Sequence, residues 1–536
     1  ELAQASKKMI MLVSMAGEIN ALSHQLDRIS ERNRQYRDFT LNSLAFVIRE
    51  VIACLKVYRS YVTGPDNVSA RDRRYVEDAV ARAKRLNPRT AASVFDFVRD
   101  TVLLDNLSQF REEDRPEVVA WAMKFQQLTG PIMAKGVEDT AFYVCNRLAS
   151  LCEVGGDPGR FGVVPAEFHK ANLARAESWP HAMLASSTHD TKRGEDVRAR
   201  LNVLSEMPER WEAALQRWAA MNADKKTLVD GAPSPDRNDE YLLYQTLIGA
   251  WPDAPVDIDA IRPFRDRVVA YMEKATREAK VHTSWVNPNH AYDAAVRDFV
   301  ARLLPDDVQD PFLSDLAGFV RPAVFFGRMN SLSQTLLKLA CPGVPDFYQG
   351  TELWSLDLVD TDNRRPVDYD RRRAALAELK SRLPKSPKSA QVGKDLLACG
   401  DNGHMKLHLI HRALAFRAEH REVFDQGDYA PLESCGEFSE HVCAFARSEA
   451  DRTIVIVVPR LAFRLMEGQT DWPLGSSVWK DTKIVLPWLE PGVTFRNVLT
   501  EETVKVGSPR KRCDLNVGAI LRTFPVALLE RLAASA

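Results

Sequence analysis

Ser186-Ser187-Thr188-His189-Asp190-Thr191-Lys192-Arg193 follows the short apolar run Ala182-Met183-Leu184-Ala185, and together they read as a buried β-strand with polar residues at its C-terminal tip. In a (β/α)8 barrel that tip is where reacting groups stand, because the βα loops gather at that face. An Asp there can hold negative charge beside a developing cation, and a His can donate to a hydroxyl. The other reading of Asp190 is a cap on the helix that follows. A His-Asp pair by itself does not separate the two.

Outward from this stretch the texture changes several times. Residues 1–115 read as a helical subdomain. Leu41, Leu44, Ile48, Val51, Ile52 and Leu55 repeat at helical spacing over Leu41–Tyr58, and Tyr75 to Leu86 does the same after a Gly64-Pro65 break. Charges between them, such as Arg32 and Arg37, read as a solvated helix face. Residues 116–192 alternate short apolar runs with helical stretches, as βα units do. Residues 193–325 read as a second helical insertion. Residues 326–394 hold the last barrel strand and helix, with Leu336–Cys341 as the strand and Pro342–Gly350 as its loop. From 395 to 536 one helix (Leu407–Glu419) precedes β-like runs at His441–Ala446, Thr453–Val458, Lys483–Leu486, Thr494–Val498 and Ala519–Phe524. Turn residues separate those runs, the mark of an antiparallel sandwich. The fold expected is therefore α/β: barrel-type βα units with large helical insertions and a C-terminal antiparallel β-sandwich.

The chain has 536 residues, enough for several domains, and a 45% apolar, 27% charged composition typical of globular proteins. Its 72 basic and 73 acidic residues leave a net charge of −1, which supplies no electrostatic reason to expect nucleic acid or an anionic membrane as partner. No run approaches the roughly 20 apolar residues that span a bilayer. The eight cysteines, Cys399 among them, show no CxxC pair or zinc spacing and read as buried thiols of a reducing cytoplasm. Gly155-Gly156-Asp157-Pro158-Gly159 lacks the Lys-Ser/Thr ending of a phosphate loop. A His-Asp metal phosphohydrolase is rejected because the 11 histidines are dispersed.

Four blocks carry a family resemblance. The first extends the opening stretch, from Glu177-Ser178-Trp179-Pro180-His181 to Gly194-Glu195-Asp196-Val197-Arg198-Ala199-Arg200. The second is Gly130-Pro131-Ile132-Met133-Ala134-Lys135-Gly136-Val137-Glu138-Asp139-Thr140-Ala141-Phe142-Tyr143, continuing to Glu153–Pro158. The third is Gly343-Val344-Pro345-Asp346-Phe347-Tyr348-Gln349-Gly350-Thr351-Glu352-Leu353-Trp354, running on through Asn363-Arg364-Arg365-Pro366-Val367-Asp368. The fourth, Val281–Asn289, reads as a packed turn. The pattern resembles the maltooligosyltrehalose synthases of the α-amylase superfamily, from about Ala16 to the end of the barrel and more loosely beyond.

That resemblance implies an intramolecular transglucosylation. The reducing-end α-1,4 bond of a maltodextrin becomes an α,α-1,1 bond, without metal or organic cofactor, and a trehalohydrolase acts on the product. By resemblance Asp190 is the carboxylate that grips sugar hydroxyls and stabilises the positive ring, and His189 binds a hydroxyl of the same glucose. Lys135 and Lys192 are the candidates for the reducing-end glucose. Glu138, Asp139, Arg193, Tyr348, Glu352 and Trp354 join the substrate-binding set. Phe142 and Tyr143 either stack on a pyranose or pack in a core. Asp360 and Arg364 either bind hydroxyls or form a structural ion pair.

A retaining glycosidase site needs a nucleophile and an acid besides Asp190. In this superfamily they resemble a Gly-x-Arg-x-Asp strand end and a Glu on the next strand, both earlier in the chain than Asp190. Residues 1–189 contain neither: Arg237-Asn238-Asp239 and Arg512-Cys513-Asp514 come later and stand on no such strand. What the resemblance then implies is an incomplete (β/α)8 TIM barrel of α-amylase type, the C-terminal portion of a longer enzyme, without synthase activity alone. The competing readings are another glucanotransferase or hydrolase of the superfamily, and a remnant that binds maltodextrin without turning it over.

Overall fold

Apolar residues at helical spacing make the first part of the chain helical, and short polar side chains start the turns. Helices α1 (Leu2–Val13), α2 (Ala16–Glu31), α3 (Leu41–Cys54), α4 (Ala70–Leu86), α5 (Ala92–Val102) and α6 (Arg115–Met133) follow one another. Thr40 Oγ1 accepts the Ser43 N–H at the start of α3, and Ser69 Oγ accepts that of Asp72 at the start of α4. Their apolar faces close one core around Leu26, Ile48, Phe95, Trp121 and Phe125. At about 25 cal/mol per Å² of apolar surface, that burial is the main force holding the helices together. In this computed structural model residues 1–253, 257–307, 309–382, 389–398, 402–507 and 513–533 are described; Cys399 lies outside them. The chain divides into two units, Glu1–Cys145 with Ala275–Pro288, and Asn146–Lys274 with Asn289–Ala536.

After Pro131 the backbone of the first unit changes pitch. Residues Ala134–Ala141 form a π-helical stretch, followed by the short α7 (Phe142–Val144). Proline lacks an N–H, so the ordinary ladder is already interrupted there, and π-bulges concentrate at functional sites. Gly136 sits where a Cβ would come within 2.9 Å of the Lys7 Cα, so only glycine lets α1 approach. Residues 116–192 thus hold helices α6, α7 and α8 (Pro165–Ser178) and a single strand, β1 (Met183–Leu184), where alternating βα units were expected.

In the second unit α9 (Glu195–Val203), α10 (Pro208–Met221), the hairpin strands β2 (Thr227–Val229) and β3 (Ala232–Ser234), α11 (Arg237–Ala250), α12 (Ile258–Ala279, whose end belongs to the first unit) and α13 (His290–Leu303) lead to α14 (Pro311–Ala340). Leu336–Cys341, expected as a strand, is instead the end of α14, with Cys341 just past its last residue. A short apolar run cannot by itself tell a buried helix from a buried strand. The strand comes just after, as β4 (Val344–Pro345), and pairs in parallel with β1. The Val344 N–H donates to the Ala182 carbonyl and the Asp346 N–H to that of Leu184, both at 2.9 Å. Gly343 makes this possible: its φ is +131°, and a Cβ would lie 2.7 Å from the Ala182 oxygen. β1 is not the buried strand expected, for Met183 is 71% exposed.

Helices α15 (Tyr369–Arg382), α16 (Ser389–Ala398) and α17 (His404–Glu419) lead to a C-terminal sheet domain. Its strands are β5 (Asp428–Pro431), β6 (Ser434–Cys435), β7 (Val442–Glu449), β8 (Arg452–Pro459), β9 (Lys483–Val485), β10 (Thr494–Asn497), β11 (Thr503–Lys505), β12 (Asp514–Asn516) and β13 (Ala527–Arg531). They form a six-stranded antiparallel sheet in the order β11-β10-β13-β8-β7-β5 and a three-stranded one, β12-β9-β6. β7 and β8 read as unbroken apolar runs because both faces of the larger sheet are covered. Cys443, Phe445, Ile454 and Ile456 share a core with residues of α14 and α17; Val442, Ala444, Val455 and Val457 share one with Ile484 and Leu515 of the smaller sheet. The expected strand Ala519–Phe524 is instead a short helix, Val517–Ile520, and a turn. Pro525 has no N–H to donate to a ladder, so the central strand β13 starts after it. Among the described residues no helix is long and apolar enough to cross a membrane. Cys435 is exposed rather than buried.

Candidate active-site turn and cavity

The turn after β1 is built from its own hydroxyls. Thr191 Oγ1 donates to the Thr188 carbonyl at 2.9 Å, and Thr188 Oγ1 accepts the Asp190 N–H at 3.2 Å. Asp190 does not cap α9. Ser187 Oγ accepts the Glu195 N–H at 3.0 Å, so that hydroxyl takes the capping role. His189 and Asp190 are left exposed on the turn. Among the described residues the Asp190 carboxylate makes no hydrogen bond or ion pair, so it is available to a ligand.

The residues after it are anchored inward. The Glu153 carboxylate accepts the N–H groups of Lys192 and Arg193 at 2.8 and 3.2 Å. Arg193 is buried, and its guanidinium donates to the Ala149 carbonyl at 3.2 Å and to the Tyr271 hydroxyl at 2.6 Å. Lys192 is buried as well. Glu153 is not among the expected site residues; its signal in the sequence is a carboxylate two positions before the Gly155-Gly156 pair.

Asn363, which binds the turn, also lines a cavity of about 600 Å³. Trp354, Asp362, Asn363, Arg267 and Arg365 are in its wall. Asn363 Nδ2 donates to the carbonyl oxygens of Thr188 and His189, at 3.4 and 3.0 Å, and the Tyr348 hydroxyl donates to the Asn363 carbonyl at 3.1 Å. The cavity wall and the His189-Asp190 turn are therefore one hydrogen-bonded piece. Asn363 was not among the expected site residues, since nothing in a lone amide predicts which carbonyls it will bridge.

Carboxylates around the cavity are paired within the protein. Arg267 holds Asp362 through two bonds of 2.9 and 2.8 Å. Burial pushes the Asp362 carboxyl up, but the Arg267 guanidinium outweighs it and holds the group below the usual carboxylate range. Asp357 accepts from Arg365 at 2.9 Å and Glu352 from Arg372 at 2.9 Å. Asp360 pairs with Arg364 at 3.2 Å, and Lys274 donates to the Asp360 carbonyl at 2.6 Å.

The remaining expected residues stand in the first unit. Lys135 is exposed and pairs with Asp139 at 2.7 Å. Glu138 is buried and accepts from the Tyr58 hydroxyl. Phe142 and Tyr143 are both buried. The Lys280 ammonium donates to the Asp139 carbonyl at 3.1 Å and to Thr140 Oγ1 at 3.0 Å, fixing the end of the π-helical stretch. Val281–Asn289 is not a packed turn: Trp285 and Val286 are exposed. Among the described residues no group of three or more His, Cys, Asp or Glu could hold a metal ion.

Known proteins resemble this chain in sequence and fold. A protein named maltooligosyl trehalose synthase from Mycobacterium tuberculosis is 40% identical over 365 residues, 67% of this chain and 42% of its own length. The solved maltooligosyltrehalose synthase of Arthrobacter ramosus superposes with a TM-score of 0.77 at 31% identity, over 99% of this chain and 58% of that one. The chain belongs to the maltooligosyltrehalose synthase family. A "hypothetical maltooligosyl trehalose synthase" of Sulfolobus tokodaii also aligns over 99% of this chain and 57% of its own, with a TM-score of 0.66 at 27% identity. No family model matches the chain. The chain thus spans less than half of the mycobacterial synthase and rather more than half of the solved ones.

Proposed function

We propose that these 536 residues contribute the sugar-gripping side of a maltooligosyltrehalose synthase. The observation that carries this is the exposed Asp190 carboxylate, unpaired among the described residues, on a turn otherwise held by hydrogen bonds. In the reaction a nucleophilic carboxylate displaces O4 of the reducing-end glucose from the adjoining anomeric carbon, and an acid supplies the proton to that O4. The freed glucose turns, its anomeric hydroxyl attacks the glycosyl-enzyme carbon, and its proton leaves to the same acid-base group. Asp190 stabilises the oxocarbenium-like ring at both steps, with His189 on a hydroxyl of that sugar. Arg193 acts indirectly, by pinning the turn. Lys192, Tyr348, Trp354, Asp360 and Arg364 form the sugar-binding set with them. Lys192 is the second unit's candidate for the reducing-end glucose; in the first unit, taken by itself, Lys135, Glu138 and Asp139 are candidate sugar contacts, and the buried Phe142 and Tyr143 support that segment.

The parallel pair β1–β4 is read as part of an incomplete (β/α)8 barrel, and the C-terminal sheets as its sandwich domain. The nucleophile and general acid come from outside these residues, a reading supported by the lack of a Gly-x-Arg-x-Asp strand before Asp190. A trehalohydrolase consumes the product. A reducing cytoplasm is the proposed setting, supported by thiols that burial renders inert, Cys341 pushed up to about 12 and Cys443 to about 11.

Incubation with maltopentaose, followed by NMR of the anomeric protons, tests the assignment. The chain alone should bind the sugar without forming an α,α-1,1 linkage. Product formation would refute the external nucleophile; absence of binding would refute the substrate class.

A further inference from the structure

Behind the Asp190 turn, a closed set of charges is sealed from water. Lys406, on the first turn of α17, is fully buried, and its ammonium lies 2.6 Å from Glu195 Oε1 and 2.9 Å from Asp196 Oδ2. The second Glu195 oxygen accepts from the Ser186 hydroxyl and lies 3.4 Å from the Lys338 ammonium, which also donates to Ser186 Oγ at 2.7 Å. Asp196 Oδ2 accepts the Ser355 N–H at 2.7 Å, and the Lys406 ammonium stands 5.9 Å from the Trp354 ring. Two ammonium groups thus balance two carboxylates, and every carboxylate oxygen has a partner.

Such a cluster is an inefficient way to gain stability. Desolvating four charges costs several kcal/mol each, and apolar side chains of similar volume often do as well. What the cluster does is connect. Glu195 and Asp196 open α9, directly after the turn that carries Asp190. Ser186 precedes that turn, and Trp354 and Ser355 belong to the cavity wall.

On the reading of Asp190 above, we propose that Lys406 is a positioning residue, whose ammonium locks the Asp190 turn to the Trp354-Ser355 wall and so sets the shape of the sugar site. It touches no sugar itself. A fixed geometry between the two loops lowers the ordering cost of binding.

Maltopentaose affinity and backbone hydrogen exchange test this on the 536-residue chain, with Lys406→Met and the charge-balanced Lys406→Met/Glu195→Gln. The double variant keeps one ammonium and one carboxylate, so it retains the fold if the single variant does not. The expected result is a loss of affinity of about tenfold in the double variant. Exchange should rise at both Thr188–Lys192 and Trp354–Leu358, while the strands β7 and β8 stay protected. Wild-type affinity and wild-type exchange in those loops would overturn the proposal. So would exchange that rises equally everywhere, which is the signature of a purely structural ion cluster. If the wild-type chain binds no maltopentaose, the sugar-site reading fails, and the exchange pattern still decides whether Lys406 couples the two loops.

Discussion

The Asn363 side-chain amide donates to the His189 carbonyl at 3.0 Å, joining the Asn363–Asp368 loop to the turn that carries Asp190 across 174 positions of sequence. The same amide donates to the Thr188 carbonyl at 3.4 Å. Removing it leaves two carbonyls with one partner fewer. Asn363→Ala should cost about 1–2 kcal/mol of stability and weaken maltopentaose binding by more than the melting shift accounts for. A fully folded variant with unchanged affinity would show that the two loops act independently.

His408 gives the C-terminal part of the chain a pH dependence. It is buried, its Nε2–H donates to the Leu499 carbonyl at 2.9 Å, and burial lowers its pKa from 6.5 to about 4. The unfolded chain therefore takes up a proton at this site that the folded chain refuses. The stability this provides is complete above pH 6.5 and is lost as pH falls toward 4. Chemical denaturation across that range should show a slope approaching about 1.4 kcal/mol per pH unit from this group. His408→Gln, which keeps a donor for Leu499, should flatten that slope.

Gly343 sets the β1–β4 pairing. With φ at +131° and the Ala182 oxygen 2.7 Å from a Cβ position, Gly343→Ala meets both backbone strain and a clash. The expected loss is about 1–3 kcal/mol, with raised hydrogen exchange at Val344 and Asp346. A variant as stable as wild type would mean that β4 shifts freely.

Arg267→Leu should unbalance the cavity. Asp362 loses the fork that holds its carboxyl down, so its contribution to stability, present at neutral pH and lost on acidification, disappears. Denaturation at pH 7 should show a deficit of about 1.5–3 kcal/mol that narrows below pH ~4, where Asp is protonated in the unfolded chain as well. A deficit independent of pH would assign Arg267 to packing alone.

Much of this was legible from residue patterns, and the failures have physical causes. Helical spacing located α3 and α4, and the apolar runs located β7 to β10 within a few residues. The Leu336–Ala340 stretch failed because burial on all sides erases periodicity. Ala519–Phe524 is not a strand because Asn516 caps a short helix there and Pro525, with no N–H for a ladder, delays β13 to Ala527. The hairpin at Asp230-Gly231, where both residues have positive φ, went unread although Asp-Gly favours that turn. At the site, chemistry-bearing residue types marked His189 and Asp190. Asn363, Glu153 and Lys406 were invisible, because each acts through partners tens to hundreds of residues away.

The central claim is that Asp190 grips the sugar. Calorimetric titration of maltopentaose into the wild-type chain and Asp190→Asn tests it directly. Replacing a charge-assisted hydrogen bond by a neutral one should weaken binding by about tenfold or more, with no change in melting temperature, since among the described residues this exposed carboxylate has no partner to lose. Equal affinities for the two proteins would contradict the claim.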